Sequence, residues 1–490
     1  MSSPPDLYRT SLGLLTDFYQ LTMAYGYWKS GVADREAVFT LTYRKNPFDG
    51  GFSIAAGLGS LIGFLERFRF DESDLDYLSG LTGNDGKRLF EPAFIDYLAG
   101  LRLTCDIDAI PEGTSVFPHE PLVRVCGPII ESQLLESPIL NIINFQTLIA
   151  TKASRVCMAA RGEPVLEFGL RRAHGIDGSL SASRAAYIGG CTATSNVLAG
   201  KLFGIPVRGT HAHSWVMCFD SEREAFEAYA ATMPNNCVFL VDTYDSLDGV
   251  RRAVEIGKRL REQGHELGGI RLDSGDLAYL SIEARKILDE AGFPGAAIVA
   301  SNDLDEKIIE SLWDQGAKIS VWGVGTKLVT GHDQPALGGV YKMTAVRKPG
   351  QPWRYTLKLS EQSVKISTPG ILQVRRYRDD GLFSGDAIHD INTDLTTGCT
   401  IVDPLDLTRR KHLPATAPHE DLLVPVFRGG ECVYAIPPLS ESRRVAAEQL
   451  ASLHPSIKRF TFPHGYPVGL EKSLHDLKTR LILEARERAE

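Results

Sequence analysis

Between Val165 and Val324 the chain repeats one local pattern: a short apolar run, an abrupt polar or glycine-bearing motif, then apolar positions at helical spacing. The clearest runs are Val165–Phe168, Val238–Val241, Gly269–Leu272, Ala297–Ala300 and Ile319–Val324. Strands that alternate with helices pair in parallel through helical crossovers. In a (β/α) barrel the carboxyl ends of the strands form the active face. Polar and charged residues stand at those ends here. The pattern predicts an α/β fold class with a barrel-like catalytic domain over 140–339.

The flanks read differently. Residues 14–30 open with Thr16 and Asp17 and carry apolar residues at helical spacing, which predicts a capped helix. Residues 36–44 alternate as a strand, 72–103 read as helical, 104–130 as short strands around Pro111, Pro118 and Pro121, and 137–160 as a long helix. They outline an N-terminal α+β domain over 1–139, joined by strands from 340–400 such as Gly339–Val346 and Trp353–Leu359. A small C-terminal region, 400–490, has a proline-rich start and ends in a helix from about 470 to 489. A length of 490 residues fits two or three domains.

The formal charge of −8 disfavours nucleic acid as the main partner, so an anionic substrate would need locally focused basic residues. A hydrophobic fraction of 43% with 23% charged residues is that of an ordinary globular protein. No run of 18 apolar residues occurs, which argues against a membrane protein. Met1–Thr10 lacks a basic segment followed by an apolar core, and the expected localisation is cytoplasmic. The eight cysteines include no C-x-x-C pair and read as reduced thiols.

Five motifs at the predicted strand ends carry the chemistry. In Glu167–Arg172 two adjacent arginines can clamp phosphate or carboxylate, or simply be a solvated pair. Gly209–Ser214 holds His211 and His213; a neutral imidazole is a nucleophile tuned near neutral pH. Its competing readings are a polar loop histidine and a zinc pair, the latter without Cys or carboxylate at ligand spacing. In Arg271–Asp276 two carboxylates and a serine can hold ribose hydroxyls, bind Mg²⁺ or face developing positive charge, or else cap a helix. Ala300–Asp305 and Trp322–Lys327 follow apolar runs; glycines let backbone N–H groups approach a phosphate. The last is not a dinucleotide fingerprint, since its third glycine is missing. Thr16–Gln20 puts Phe18 and Tyr19 on a helix, where core packing is the plain reading.

Taken in order, these residues resemble the nicotinate phosphoribosyltransferase family. The resemblance rests on Leu15–Gln20, Phe168–Arg172, Gly209–Ser214, Arg271–Asp276 and Gly323–Thr326, with Val424–Gly430, His454-Pro455 and Tyr466–Leu470 in the tail. It implies an irregular, incomplete α/β barrel and a homodimer with shared active sites, the N-terminal α+β domain packing on the neighbouring subunit. It implies transfer of phosphoribosyl from phosphoribosyl pyrophosphate to nicotinate, giving nicotinate mononucleotide and pyrophosphate, in NAD salvage. ATP enters as co-substrate and Mg²⁺ as cofactor. By resemblance His213 is the histidine phosphorylated by ATP, and His211 has no role. Phe168 and Tyr19 stack the substrate ring, the tyrosine coming across the interface. Arg171 and Arg271 are candidates for the carboxylate or phosphates, and Asp273 for the ribose and metal ligand. Gly323, Gly325 and Thr326 resemble the 5′-phosphate cradle, and Thr210, Ser214 and Asn302 are further substrate-binding positions.

Three alternatives stay open on sequence. Family relatives that use nicotinamide place an aspartate in the stretch corresponding to Cys191–Ser195, where no acid occurs, so the acid is the expected substrate. A quinolinate-using relative would be shorter and lack the histidine role. A non-catalytic phosphosugar-binding barrel would need no phosphorylatable histidine.

Overall fold

The computed structural model of the chain describes residues 11–488; the segment Met1–Thr10, read above for a secretion signal, lies outside the described residues. Two compact units are present. One comprises the described residues up to Thr147, Ala336–Pro438 and those from Ala447 onward; the other comprises Leu148–Pro335 with Leu439–Ala446.

The second unit is built on a six-stranded sheet in the order Ala193–Thr194, Val165–Glu167, Val321–Val324, Ala297–Ala300, Gly269–Leu272, Val238–Leu240. Every pairing is parallel, so all six carboxyl ends emerge on one side. A further parallel bridge joins Thr194 to Val207. Among the described residues no pairing returns from Val207 to Val238, so the sheet is an irregular, incomplete (β/α) barrel. Four of the five apolar runs match the observed strands to within a residue at both ends, and the strand in Ile319–Val324 starts later, at Val321. The strand Ala193–Thr194 escaped the pattern because its two residues form no apolar run.

The crossover helices start by a common device. Asp245, Asp276 and Asp305 each accept a hydrogen bond from the backbone N–H three residues on, opening the helices Ser246–Glu262, Leu277–Glu290 and Glu306–Asp314. Such caps contribute about 1 kcal/mol each. The first of these helices buries Val250, Ala253, Val254, Gly257 and Leu260, a stripe at helical spacing facing the sheet. Behind the third, Glu306 is buried between Lys152 Nζ at 2.7 Å and Arg155 Nε at 2.8 Å. Truncating one member of such a buried cluster leaves an uncompensated charge.

The first unit carries two further sheets. A seven-stranded sheet runs Arg354–Tyr355, Gly339–Arg347, Glu36–Tyr43, Val123–Pro128, Asp106–Ala109, Val424–Arg428, Glu431–Cys432. Within it the antiparallel pair Glu36–Tyr43 and Gly339–Arg347 joins two distant stretches of the unit's sequence, from Glu36 paired with Arg347 to Tyr43 paired with Gly339. The stretch Trp353–Leu359 forms a strand only at Arg354–Tyr355. A six-stranded sheet runs Arg410–Leu413, Cys399–Val402, Val468–Glu471, Leu382–Asp390, Leu372–Asp379, His419–Asp421. Strands on both sides of residue 400 therefore share one sheet, packed around Tyr377, Ala387, Ile401 and Leu413.

The helix Phe18–Lys29 begins after Asp17, yet Asp17 makes no side-chain cap. Its carboxylate accepts a 2.6 Å hydrogen bond from Ser137 Oγ instead. The helix buries Gln20, Leu21 and Ala24 and leaves Phe18, Tyr19 and Met23 exposed, so core packing is not the role of Tyr19.

Candidate functional site

Within the second unit, the strand ends bring most of the expected residues together. Arg271, the third residue of its strand, is the hub. Its Nε donates to Ser301 Oγ at 2.8 Å, Nη1 to Thr210 Oγ1 at 3.1 Å and Nη2 to Asp273 Oδ1 at 2.9 Å. The guanidinium also lies 5.5 Å from the centre of the Phe168 ring. Three of the five N–H donors of an arginine are thus engaged, which leaves two for a ligand. A lysine could not reproduce this fork.

Asp273 is held from two sides. Its Oδ1 accepts from Arg271 and from Ser301 Oγ. Its backbone N–H donates to Asp242 Oδ2 at 3.0 Å, and the neighbouring Ser274 Oγ donates to the same oxygen at 2.6 Å. Asp242 Oδ1 is buried with no protein partner. Asp276, the other acid of the motif, is the helix cap, so capping and site chemistry divide between the two aspartates.

His213 opens the short helix His213–Met217. Its Nδ1 lies 3.2 Å from Thr243 Oγ1 and its Nε2 3.9 Å from Asp273 Oδ2. The second distance is too long for a hydrogen bond, so with the proton on Nδ1 the Nε2 lone pair is uncommitted. His211 is different. It is buried, its Nε2 accepts the Leu240 N–H at 3.1 Å, and burial lowers its pKa. It is a neutral histidine that fixes the loop to the strand Val238–Leu240. Ser214 is exposed on the His213 helix.

Phe168 follows its strand directly, with its N–H donating to Val324 O at 2.8 Å. The turn is fastened by the buried Glu167 carboxylate, which accepts from the Gly169 N–H, from Ser183 Oγ at 2.7 Å and from Thr194 Oγ1 at 2.6 Å. Arg171 sits in the turn Leu170–Arg172, exposed, with no hydrogen bond or ion pair among the described residues. Gly323 is paired in its strand with Leu166 and lies under the Phe168 ring. Gly325 caps the short helix that Thr326 begins. Asn302 follows Ser301 with φ of 111°, a backbone region that costs a residue other than glycine about 1–3 kcal/mol and clusters at functional sites.

Sequence reasoning passed over Asp242, Thr243, Ser301, Glu167 and Thr194. Asp242 and Thr243 stand directly after the apolar run Val238–Val241 as two polar residues in no recognisable motif, and Ser301 is a lone hydroxyl within Ala300–Asp305. The hydroxyls on Glu167 carry no sequence signal, because their partners lie 16 and 27 residues away.

Tyr19 belongs to the first unit, exposed on Phe18–Lys29. The same unit holds a cavity of about 40 Å³ lined by Thr40, Thr42, Arg44, His119, Lys342 and Lys365 among others, with no acid in its wall. Thr40 Oγ1 is buried there without a partner. Cations and hydroxyls without a carboxylate suit a small anion.

Over 485 residues the chain is 43% identical to the nicotinate phosphoribosyltransferase of Bacillus subtilis, covering 98% of this chain and 97% of the relative. The chain belongs to the nicotinate phosphoribosyltransferase family. Residues 14–144 match that family's N-terminal domain and 373–478 its C-terminal domain. The nicotinate phosphoribosyltransferase of Homo sapiens is 34% identical over 97% of this chain and 98% of its own length. A crystal structure of human nicotinic acid phosphoribosyltransferase aligns with a TM-score of 0.82 at 32% identity, over 95% of this chain and 99% of that one. A nicotinate-nucleotide pyrophosphorylase from Pyrococcus furiosus, 22% identical with a TM-score of 0.68, shares the fold. As a member of this family the chain is an enzyme, a transferase of pyridine nucleotide biosynthesis.

Proposed function

We propose that this enzyme transfers phosphoribosyl from phosphoribosyl pyrophosphate to nicotinate for NAD synthesis and couples the transfer to ATP hydrolysis through phosphorylation of His213. The observation that carries the reading is the hub at Arg271, which ties the Phe168 ring, Thr210, Ser301 and Asp273 into one group facing His213.

In the transfer, the bond from the anomeric carbon to the pyrophosphate oxygen breaks and its electron pair leaves with pyrophosphate. The pyridine nitrogen lone pair forms the new bond to that carbon. The ribose passes through an oxocarbenium-like state, as in glycoside cleavage. Asp273, fixed by Arg271, Ser301 and Asp242, supplies oriented negative charge beside it. Phe168 positions the flat ring, with Tyr19 of a second copy on the other face. Arg171 and the free donors of Arg271 read the carboxylate or phosphates. Gly323, Gly325, Thr326, Ser214 and Asn302 complete the phosphate and substrate contacts.

For ATP, His213 Nε2 attacks the γ-phosphorus, and the bond to the ADP oxygen breaks. Water then cleaves the phosphohistidine to phosphate. Differential binding of substrates and products to the two forms of the enzyme would let hydrolysis favour synthesis.

The donor set fits a magnesium ion: Asp273 keeps Oδ2 outside its hydrogen bonds, and Asp242 Oδ1 is buried without a partner. Magnesium is usually held by one or two carboxylates together with substrate phosphates. When bound it would offset the charge of the leaving pyrophosphate. A homodimer is supported by the exposed Phe18, Tyr19 and Met23 on one helix, an apolar patch of the kind that marks association surfaces. No helix among the described residues is long and apolar enough to cross a membrane, and we place the enzyme in the cytoplasm.

Nicotinate is preferred over nicotinamide because the Cys191–Ser195 stretch offers no acid, and the nearby Glu167 is buried and already accepts three hydrogen bonds. A product assay with both pyridines, with and without ATP, tests the proposal. Nucleotide from nicotinate, stimulated by ATP, is expected; equal turnover of nicotinamide, or no response to ATP, would overturn the corresponding part.

A further inference from the structure

The first unit holds a cavity of about 670 Å³ whose wall includes Asp403, Arg409, Arg410, Arg459, Phe462 and His464. This chain is acidic overall, at −8, so a wall with three arginines and one acid is a local reversal of its charge. The acid is committed elsewhere: Asp403 Oδ1 accepts the backbone N–H groups of Leu405 and Asp406. Arg409 pairs with Asp406 at 3.2 Å. The side chains of Arg410 and Arg459 make no hydrogen bond or ion pair among the described residues. They come from different elements, Arg410 from the strand Arg410–Leu413 and Arg459 from the turn after Pro455–Lys458. Phe462 is 91% exposed and adopts φ of 47°, a backbone region bulky residues seldom enter.

One plain account covers part of this. Arg410–Leu413 is the edge strand of its sheet, and exposed edges carry charge to deter pairing. That accounts for Arg410. It does not account for Arg459, His464 and an exposed aromatic ring brought to the same hollow by another loop. The volume exceeds what a single phosphate needs and lies in the range of small-molecule sites. Guanidinium groups recognise phosphate oxygens, and a solvent-facing ring can stack on a base.

We infer that this cavity binds a nucleotide carrying two or more phosphates, its phosphates on Arg410, Arg459 and His464 and its base on Phe462. None of its residues belongs to the Arg271 hub, and the inference does not depend on the catalytic reading. Hydrogen exchange on the full-length protein, read by mass spectrometry, tests it in magnesium-free buffer with ATP, with tripolyphosphate, and with KCl at matched ionic strength.

At ten times its Kd, ATP should slow exchange over residues 459–467 roughly tenfold. Tripolyphosphate should slow it less, and KCl not at all. Arg410→Glu with Arg459→Glu should abolish the effect while leaving transferase turnover intact. Phe462→Ala should reduce ATP to the level of tripolyphosphate. No slowing by either ligand, equal slowing by KCl, or slowing that survives the double reversal would overturn the site. Equal effects of ATP and tripolyphosphate on the unaltered protein would overturn the role of Phe462.

Discussion

The Phe168 ring occupies the space that a side chain on Gly323 would need: a Cβ built there would stand 2.7 Å from Phe168 Cδ2. The glycine is in a strand, with an ordinary backbone, so what it provides is room for the ring. Gly323→Ala must push the ring or the strand aside, at a cost of about 1–3 kcal/mol. With Phe168 stacking the pyridine, KM for nicotinate should rise roughly tenfold or more, and by more than KM for phosphoribosyl pyrophosphate, whose phosphate contacts Gly323 shares with Gly325 and Thr326. An unchanged nicotinate KM would separate the ring from substrate binding.

With Asp273 beside the ribose as proposed, Asp242 bears on the reaction by orienting it, accepting the Asp273 N–H and the Ser274 hydroxyl on one oxygen. Hydrogen bonds to a charged group contribute about 1.5–3 kcal/mol. Asp242→Ala should lower kcat roughly 10- to 100-fold and leave the circular dichroism spectrum that of a folded protein, with the melting temperature lowered by a few degrees. A loss confined to melting temperature, with kcat kept, would make Asp242 a folding residue only.

How much of this was legible in the sequence depends on the range of the interaction. The parallel sheet and its strand ends were readable, because apolar runs are local signals and a helix cap was one reading of the Arg271–Asp276 motif. Phe168, Arg271, Asp273 and His213 were found for the same reason: each sits just after a run or in a short motif. What escaped was the long-range fastening. Thr194 reaches Glu167 from the next strand, and Thr243 meets His213 across 30 residues. The pairing of Glu36–Tyr43 with Gly339–Arg347 was foreseen only as a joining of 340–400 to the N-terminal domain, since register over such a separation is fixed by packing.

His213→Ala should abolish the stimulation by ATP while retaining basal transfer, because the Arg271 and Asp273 cluster does not rest on the imidazole: the Nε2 to Asp273 Oδ2 separation is 3.9 Å. Steady-state rates with and without ATP measure this. Full stimulation in the variant would remove His213 from the coupling.

Tyr19 is half exposed on a helix whose buried face is Gln20, Leu21 and Ala24. Truncating it should therefore leave the first unit folded. Tyr19→Ala should raise KM for nicotinate more than that for phosphoribosyl pyrophosphate, by a factor of roughly ten for the loss of one stacking face. Equal losses for both substrates would contradict the stacking role.

Acid sensitivity is built into the first unit at His119. Burial, with the positive charges of Lys478 and Arg44 adding to it against Asp403, pushes its pKa down from 6.5 to about 4. The ring is thus neutral in the folded protein where the unfolded chain would protonate it. Above the unfolded value both states are neutral and stability is unaffected. As pH falls below 6.5 the unfolded state binds the proton first, so stability is lost progressively until the folded ring also titrates near 4. At pH 4.5 the loss should be roughly 2–3 kcal/mol. His119 has φ of 74°, which asparagine tolerates. His119→Asn should therefore lose roughly 2–3 kcal/mol less than the parent between pH 7.5 and 4.5 in denaturant titrations, since every other titrating group is common to both. Parallel pH profiles for the two proteins would show that His119 titrates alike in the folded and unfolded states.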